Sequence, residues 1–144
     1  MKVGIASDHR GFELKSKIIS EMPELIDYGT NSSDSTDFPL YAFKIGEEIK
    51  NGNLDYGILI CGSGIGMSIA CNKVKGVRCA KIDNVDEAEY TRRDNDANVI
   101  SFSEKHSVDE ATRMINTFLT TPFNSEEKYR RRLKQIIDYE KKNG

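Results

Sequence analysis

One segment decides how this chain folds, and it is Tyr56-Gly57-Ile58-Leu59-Ile60-Cys61-Gly62-Ser63-Gly64-Ile65-Gly66-Met67-Ser68-Ile69-Ala70. A short apolar run stops at a cysteine, and three glycines then alternate with other residues before a helix-compatible stretch begins. A strand, a tight turn and a helix in this order place backbone N–H groups at a helix N-terminus, where they can bind an anion. The same position favours the thiolate form of a cysteine. The segment therefore predicts a base or nucleophile, Cys61, beside an anion-binding turn.

Strands and helices alternate on both sides of this segment. Apolar runs of strand character are expected at 2–7, 25–28, 56–60, 76–82 and 97–102. Stretches of helical period are expected at 12–22, 39–50, 65–74, 83–93, 107–119 and 125–142, the last of them strongly basic. Strands that alternate with helices form a parallel sheet covered on both faces. The pattern therefore predicts one α/β domain, residues 1–144, with a five-stranded parallel sheet and a C-terminal helix.

The composition excludes several classes of protein. The 144 residues carry a formal net charge of −2, so no charge excess indicates nucleic acid or an anionic membrane as a partner. No apolar run approaches the roughly 18 residues needed to span a bilayer, and the N-terminus is typical of a first strand rather than a signal peptide. Three cysteines without a C-x-x-C pair and only two histidines argue against a disulfide framework and a metal centre. We therefore expect a metal-free protein of the reducing cytoplasm.

Polar residues follow each of the predicted strands. They are Asp8 and His9, the loop 29–38, the segment 61–66, Asp83 and Ser103. In open parallel sheets, ligands bind outside the carboxyl ends of the strands, where the strand order reverses. We therefore expect these residues to face one site, at which Cys61 acts as a base and His9 binds an anion or moves protons.

Each of these signals also has a purely structural interpretation. The glycines of 62–66 permit a tight turn without any ligand, and they match neither a dinucleotide fingerprint nor a phosphate-binding P-loop. Cys61 alone is more often a small buried apolar residue. Asp8 can simply cap the helix that follows it. Cys71 and Cys79 lack a comparable setting, and we expect both to pack in the core.

Seven motifs extend over nearly the whole chain. They are Asp8-His9-x-Gly11, Asp27-x-Gly29-Thr30, Thr36-Asp37-Phe38-Pro39, Cys61-Gly62-Ser63-Gly64-Ile65-Gly66, Asn72-Lys73, Gly76-Val77-Arg78 and Asn95-Asp96-Ala97-Asn98-Val99. In this order and spacing the chain resembles ribose-5-phosphate isomerase B and its relatives, the galactose-6-phosphate isomerase subunits. The resemblance implies a Rossmann-like three-layer α/β/α sandwich that interconverts aldose and ketose phosphates. It also implies a homodimer or tetramer with sites shared between subunits, and no metal or other cofactor.

The resemblance further implies roles for individual residues. Cys61 corresponds to the catalytic base and Ser63 to the residue that assists it, while Gly62, Gly64 and Gly66 form the anion hole over the reacting oxygens. We expect the Cys61 thiolate to remove the C2 proton of an open-chain aldose phosphate, which gives a cis-enediolate, and to return the proton at C1. The positions that contact the substrate are Asp8 and His9 for sugar hydroxyls and phosphate, Asn95 for the sugar, and Arg113, Lys128 and Arg132 for the phosphate.

Three positions depart from the pattern of the ribose-phosphate enzymes. Asp94 stands where they carry the histidine that opens the sugar ring, Phe38 replaces the tyrosine of an Asp-Tyr-Pro motif, and Lys128 stands about where the first phosphate arginine lies. Ring opening then falls to Asp94 or to Asp8. Ribose 5-phosphate is the substrate that we expect first. The alternatives are a six-carbon aldose 6-phosphate of the galactose or allose type, and a sugar-phosphate-binding module without catalysis.

Overall fold

The computed structural model describes residues 1–143 and contains a five-stranded sheet. Its strands are β1 (Val3–Ser7), β2 (Ile26–Asp27), β3 (Tyr56–Cys61), β4 (Cys79–Lys81) and β5 (Val99–Ser103). Its helices are α1 (Phe12–Glu21), α2 (Phe38–Lys50), α3 (Ile65–Cys71), α4 (Val85–Asn95), α5 (Val108–Thr120) and α6 (Glu127–Asn143). All neighbouring strands pair in parallel, in the order β2-β1-β3-β5-β4. The predicted α/β class and the parallel sheet are confirmed.

The central strand β3 is apolar on both faces, which explains why helices cover both sides of the sheet. Successive residues of a strand point to opposite faces. Ile58 and Ile60 therefore join a buried cluster that includes residues of α1 and α5. Leu59 and Cys61 join a second cluster, with residues of α2 and α3. The three layers of the sandwich follow from this alternation, and Cys61 lies on the α2–α3 side.

Several predicted elements are shorter in the structure than in the sequence analysis, and the difference is largest for α3 and β4. Both α3 and β4 fall short of the predicted ranges 65–74 and 76–82. The Asn72 side chain accepts a hydrogen bond from the Cys79 N–H at 2.8 Å and donates to the Cys79 carbonyl oxygen at 2.9 Å. The Asn72 side chain therefore satisfies both backbone groups of Cys79, the first residue of the edge strand β4.

The C-terminal helix α6 is exposed along its length. None of its side chains is fully buried, although the helix packs against α4. Its apolar residues Ile136 and Tyr139 are 53% and 70% exposed. A long amphipathic helix that buries so little within its own chain has an unpartnered face. No helix within residues 1–143 is both long enough and apolar enough to cross a membrane.

Candidate active site

A cavity opens where the strand order reverses, at the carboxyl ends of β1 and β3. From β1 the chain passes to β2 on one side and then to β3 on the other. The cavity has a volume of about 510 Å³. It is lined by Asp8, His9, Arg10, Phe38, Cys61, Gly62, Ser63, Gly66 and Lys105. Open parallel sheets bind ligands at this position. The structure brings together here Asp8, His9, Phe38 and the turn residues Cys61, Gly62, Ser63 and Gly66, whereas Gly64, Ile65 and the loop 29–37 do not line the cavity.

The glycine turn holds the thiol of Cys61 at the start of α3. The N–H of Gly64 donates to Cys61 Sγ at 3.2 Å, and Cys61 is 5% exposed. Gly64 has a φ of +82°, and a Cβ atom at this position would lie 2.7 Å from the Cα atom of Phe102. Only glycine satisfies both conditions. The Ser63 hydroxyl accepts the N–H of Ile65 at 3.1 Å, so it too belongs to the turn.

Two hydroxyl groups of β5 hold the carbonyl side of the same turn. Ser101 Oγ donates to the Gly64 carbonyl oxygen and Ser103 Oγ to the Gly62 carbonyl oxygen, both at 2.7 Å. Because these carbonyl groups are bound to β5, they do not compete with a ligand for the N–H groups of the turn. The sequence analysis placed Ser103 at the site but missed Ser101, which is fully buried. A sequence feature that could have indicated Ser101 is the presence of a hydroxyl residue inside the otherwise apolar run 99–102.

Asp8 and His9 are both held by backbone groups. Asp8 Oδ1 accepts the N–H of Gly11 at 3.1 Å in the turn that precedes α1. The N-cap residue of α1 is Gly11 and no side chain caps this helix, so Asp8 stabilises the preceding turn, and it also lines the cavity. The N–H of Thr36 donates to Nδ1 of His9 at 3.2 Å, and the Thr36 carbonyl oxygen lies 3.1 Å from the same nitrogen. These bonds occupy Nδ1, so Nε2 is the ring nitrogen that remains for a ligand.

The wall and the rim of the cavity differ in character. Phe38 is 36% exposed and its ring packs against Gly66, which gives the cavity an apolar wall. Arg10 and Lys105 bring positive charge to the rim. The sequence analysis missed both, and the only signal for either is its place just after a strand. Arg10 pairs with Glu104 at 3.4 Å, an exposed contact that a bound anion can replace.

Four other predicted residues lie in a second place, on α4 and α6. Asp94, Asn95 and Arg132 line a separate cavity of about 220 Å³ between α4 and α6. Lys128 is exposed on α6, one turn before Arg132. None of these four residues lines the cavity of Cys61. One chain thus holds two groups of site residues, which we call the thiol half-site (the residues around Cys61) and the α4–α6 half-site (Asp94, Asn95, Lys128 and Arg132).

Arg113 belongs to neither half-site. It lies on α5, where its Nε atom is 3.4 Å from the Asp109 carboxylate and its side chain is 70% exposed. The sequence analysis also expected Asp83 at the site. The structure instead pairs its carboxylate with Lys81 and gives its N–H to the Glu87 carboxylate at the start of α4.

The Asp94 carboxylate is bound by its neighbour in the chain. The Nε and Nη2 atoms of Arg93 lie 3.0 Å and 3.4 Å from the two Asp94 oxygens. The hydrogen bond with Asp94 raises the pKa of Arg93 above its usual value. A guanidinium that meets a carboxylate through both of its oxygens fixes the orientation of that carboxylate. Arg93 therefore holds the Asp94 side chain in one place at the C-terminal end of α4.

The other two cysteines are packed as expected. Cys71 is buried in the α2–α3 cluster, and Cys79 is partly buried against it. A hydrogen bond with Cys79, together with burial, raises the pKa of the Cys71 thiol above its usual value. A thiol in this setting stays protonated and unreactive. Nowhere in residues 1–143 do three histidine, cysteine or carboxylate side chains come together as a metal site.

The family model described as Ribose/Galactose Isomerase matches residues 3–136 of this chain. The chain belongs to the ribose/galactose isomerase family. The matched range includes both half-sites, from Asp8 to Arg132. Membership of this family confirms the family predicted from the seven motifs.

Individual relatives agree with the assignment to the ribose/galactose isomerase family. The putative sugar phosphate isomerase YwlF of Bacillus subtilis is 44% identical over 99% of each chain. Ribose-5-phosphate isomerase B of Escherichia coli is 41% identical over 72% of each chain. Ribose-5-phosphate isomerase B of Clostridium thermocellum has a similar structure, with a TM-score of 0.95 and 38% identity over 100% of each chain. The Mycoplasma genitalium enzyme with bound ribulose-5-phosphate has a TM-score of 0.89 and 35% identity, and the match covers 97% of this chain and 96% of that one.

Proposed function

We propose that this protein is an aldose–ketose isomerase that interconverts ribose 5-phosphate and ribulose 5-phosphate. The observation that carries the proposal is the thiol of Cys61, which meets a backbone N–H of the glycine turn at the edge of a cavity, in a family of sugar isomerases. Relatives named ribose-5-phosphate isomerase B, at 41% and 38% identity, support the five-carbon substrate.

The reaction moves one proton between neighbouring carbons, so it needs a base and a group that stabilises negative charge. The Cys61 thiolate removes the proton from C2 of the open-chain aldose phosphate. The electron pair of that C–H bond forms the C1–C2 double bond, and O1 becomes an oxyanion. Return of the proton to C1, with transfer of the O2 proton to O1, yields the ketose. N–H groups of the turn 62–66 stabilise the oxyanion, and one such donor typically contributes about 3 kcal/mol.

Ring opening precedes this step, because sugar phosphates are largely cyclic. We assign it to Asp94, whose carboxylate is oriented by Arg93 at 3.0 Å and lines the α4–α6 cavity. As a base, Asp94 accepts the proton of the anomeric hydroxyl while the bond between C1 and the ring oxygen breaks, and the ring oxygen takes a proton from water. Asp8 is less suited, because one of its oxygens accepts the Gly11 N–H.

A second copy of the chain completes the site in this proposal. Asp94 and Arg132 must reach the substrate, yet they lie apart from Cys61 within one chain. Ile65 and Ile69 of α3 are 54% and 60% exposed beside the glycine turn. Burial of this apolar face against a second copy is favourable. A two-fold contact that brings the α4–α6 half-site of one copy to the thiol half-site of the other creates two equal sites, each with one contribution from either copy.

The phosphate group then lies between the two half-sites. His9, Arg10 and Lys105 supply donors from the thiol side, while Lys128 and Arg132 supply them from the second copy. Arginine binds a phosphate through two parallel hydrogen bonds and lysine binds it as a point charge. We propose no contact for Arg113 unless the assembly brings α5 of another copy to this position, because its own chain holds it at Asp109.

Turnover is tested with a panel of five- and six-carbon aldose phosphates, followed as ketose formation and as exchange of the substrate C2 proton in deuterated water. We expect the highest kcat/KM with ribose 5-phosphate. The Cys61→Ala variant is expected to lose turnover and proton exchange while it still binds phosphate. Full activity of that variant excludes Cys61 as the base, and phosphate-dependent binding without any exchange in the wild-type protein indicates a binding module.

A six-carbon aldose 6-phosphate remains the second candidate substrate because of one observation. Phe38 presents an apolar, 36% exposed ring to the cavity, so this wall offers no hydroxyl to a sugar oxygen. A higher kcat/KM with a six-carbon substrate than with ribose 5-phosphate would favour this candidate.

The shared site is tested by mixing two inactive variants, Cys61→Ala and Arg132→Ala. After unfolding and joint refolding, half of the dimers are mixed, and one of the two sites in each mixed dimer has both residues intact. We therefore expect about one quarter of the wild-type activity in the mixture. A mixture as inactive as its components would show that both residues act within one chain.

A further inference from the structure

The segment 28–37 ends beside the cavity and holds the ring of His9 through a single residue. Thr36 presents both of its backbone groups to Nδ1, its N–H at 3.2 Å and its carbonyl oxygen at 3.1 Å. With Nδ1 unprotonated, the Thr36 N–H is its donor, and the ring proton is on Nε2. With the ring doubly protonated, the Thr36 carbonyl oxygen accepts from Nδ1, and Nε2 still carries a proton. In both of these states Nε2 offers an N–H to a ligand, whereas a neutral ring with its proton on Nδ1 donates to the Thr36 carbonyl oxygen and leaves Nε2 unprotonated. An anion bound at Nε2 selects the two states that carry the Nε2 proton.

Thr36 is in turn held by Tyr41, which lies in the first turn of α2. The hydroxyl groups of Thr36 and Tyr41 are 3.2 Å apart. Hydrogen bonds from Thr30 and Thr36 lower the pKa of Tyr41 below its usual value. Thr30 and Thr36 lie near the two ends of an otherwise exposed polar loop. The Tyr41 ring also packs against Gly29, which has a φ of +98°. Tyr41 therefore contacts both ends of the loop that carries the His9 contact, Thr36 through its hydroxyl group and Gly29 through its ring.

We propose that Tyr41 is a positioning residue for substrate binding, which fixes Thr36 so that the Thr36 backbone keeps Nε2–H of His9 directed at the phosphate group. The inference rests on the proposed function for its substrate, and it adds a residue to which the seven motifs gave no role. Tyr41 does not line the cavity, so it acts only through Thr36 and His9. The Tyr41 hydroxyl lies 3.2 Å from the Thr36 hydroxyl, and the Thr36 N–H lies 3.2 Å from Nδ1 of His9.

The test variant is Tyr41→Phe, which removes one oxygen atom and keeps the ring against Gly29. Its matched control is Tyr28→Phe, which removes a phenol oxygen 3.5 Å from Glu48, also on α2 but away from His9. We expect Tyr41→Phe to raise KM for the sugar phosphate about threefold to tenfold, the effect of one lost neutral hydrogen bond, with kcat within about twofold. We expect Tyr28→Phe to leave both constants within about twofold.

A second readout does not depend on turnover. The chain has two histidines, so the ring ¹⁵N resonances of His9 and His106 are readily assigned. In Tyr41→Phe the His9 resonances are expected to move toward those of a free, tautomerically mixed imidazole, while His106 stays unchanged. Inorganic phosphate added to the wild-type protein is expected to shift His9 Nε2, and to do so at higher phosphate concentration in Tyr41→Phe. Unchanged His9 resonances in Tyr41→Phe overturn the proposal, whether or not the protein is an isomerase.

A double-mutant comparison separates positioning from a general structural effect. In a His9→Ala background, Tyr41→Phe has nothing to position, so we expect KM in the double variant to equal that of His9→Ala. An equal further rise of KM in that background would show that Tyr41 acts on the fold rather than on His9, and would overturn the proposal. If the wild-type protein shows no turnover, the proposed function fails, and the ¹⁵N measurement alone then decides the role of Tyr41.

Discussion

Replacement of Gly64 by alanine is the sharpest test of how the glycine turn is built. The backbone at Gly64 has a φ of +82°, and an added Cβ atom would lie 2.7 Å, 2.9 Å and 2.9 Å from the Cα, C and N atoms of Phe102. These neighbours are backbone atoms of the buried strand β5, so they cannot rotate away. The φ value alone costs an alanine about 1 kcal/mol, and overpacking against a rigid neighbour adds about 1–3 kcal/mol.

The Gly52→Ala variant is the matched control for this substitution. Gly52 follows α2 with a φ of +80°, and nothing lies within 4 Å of a Cβ atom built there. Gly52→Ala therefore carries the strain of the left-handed backbone without the steric contact. We expect urea unfolding at equal protein concentration to show a loss of about 1 kcal/mol for Gly52→Ala and of about 2–4 kcal/mol for Gly64→Ala.

The two glycine variants also differ in what they do to the site. The N–H of Gly64 donates to Cys61 Sγ at 3.2 Å, and the Gly64 carbonyl oxygen accepts from Ser101. A shift of the turn away from β5 displaces both contacts, so we expect Gly64→Ala to lose at least about a hundredfold in kcat, the smaller end of the effect of one lost oxyanion donor. Equal losses of stability in the two variants, or wild-type kcat in Gly64→Ala, would refute the packing argument.

Two further predictions concern charges outside the cavity. Lys15 is 1% exposed, and its Nζ lies 2.7 Å from Asp27, which is 40% exposed. The Asp27→Ala variant leaves a buried ammonium group unpaired and should lower the unfolding free energy by about 3 kcal/mol. The Lys15→Met variant leaves only a hydrated carboxylate and should lower the unfolding free energy by about 1 kcal/mol or less. Urea titrations of both variants check this order, and a larger loss for Lys15→Met would contradict it. Hydrogen bonds from Ser107 at the start of α5 lower the pKa of Glu110 below its usual value. The ionised carboxylate therefore stabilises the fold at neutral pH. This contribution is lost as the pH falls through the lowered pKa. Glu110→Gln should therefore be less stable than wild type at pH 7, with a difference that shrinks below about pH 4 and vanishes in stronger acid; a difference that is constant with pH would refute it.

The thiol half-site was predictable because its geometry is local. A strand that ends in Cys61, followed by glycines at 62, 64 and 66, determines the turn within a few residues of chain. Asp8 and His9 enter the same site because the ends of parallel strands lie at one edge of the sheet. The family resemblance added roles to these positions, and it was not needed to bring them together.

Ser101, which the sequence analysis missed, and Ser103, which it placed at the site without a partner, act through contacts distant in sequence. Ser101 and Ser103 bind carbonyl groups 37 and 41 residues earlier in the chain. Their register against β3, which pairs Cys61 with Ser103, is set by the whole sheet. Side chains alternate between the two faces of a sheet, so the sequence predicts which face a serine occupies. It does not predict which carbonyl group lies opposite that serine. Arg10 and Lys105 were missed for a related reason, since charged residues after strands are usually solvated.

The α4–α6 half-site could not be placed from the sequence because it depends on packing between two exposed elements. Asp94 and Asn95 end α4, while Lys128 and Arg132 lie on a helix without a fully buried side chain. Helical periodicity shows that Lys128 and Arg132 share a face of α6. It does not show which molecule that face meets. Arg113 illustrates the same limit, because its sequence position allowed a phosphate contact and the structure pairs it with Asp109.

Under the proposed assembly, the thiol half-site and the α4–α6 half-site depend differently on the second copy. The thiol half-site is held by hydrogen bonds of the buried strand β5, so its geometry exists in the isolated chain. The phosphate cations lie on α6, whose Ile136 and Tyr139 remain more than half exposed until a partner covers them. Contact between copies therefore stabilises the position of the phosphate cations more than that of the base. Dilution into the monomer should remove Asp94 and the α6 cations from the site, and with them turnover, before it changes the environment of Cys61, since binding that depends on a second copy follows its concentration.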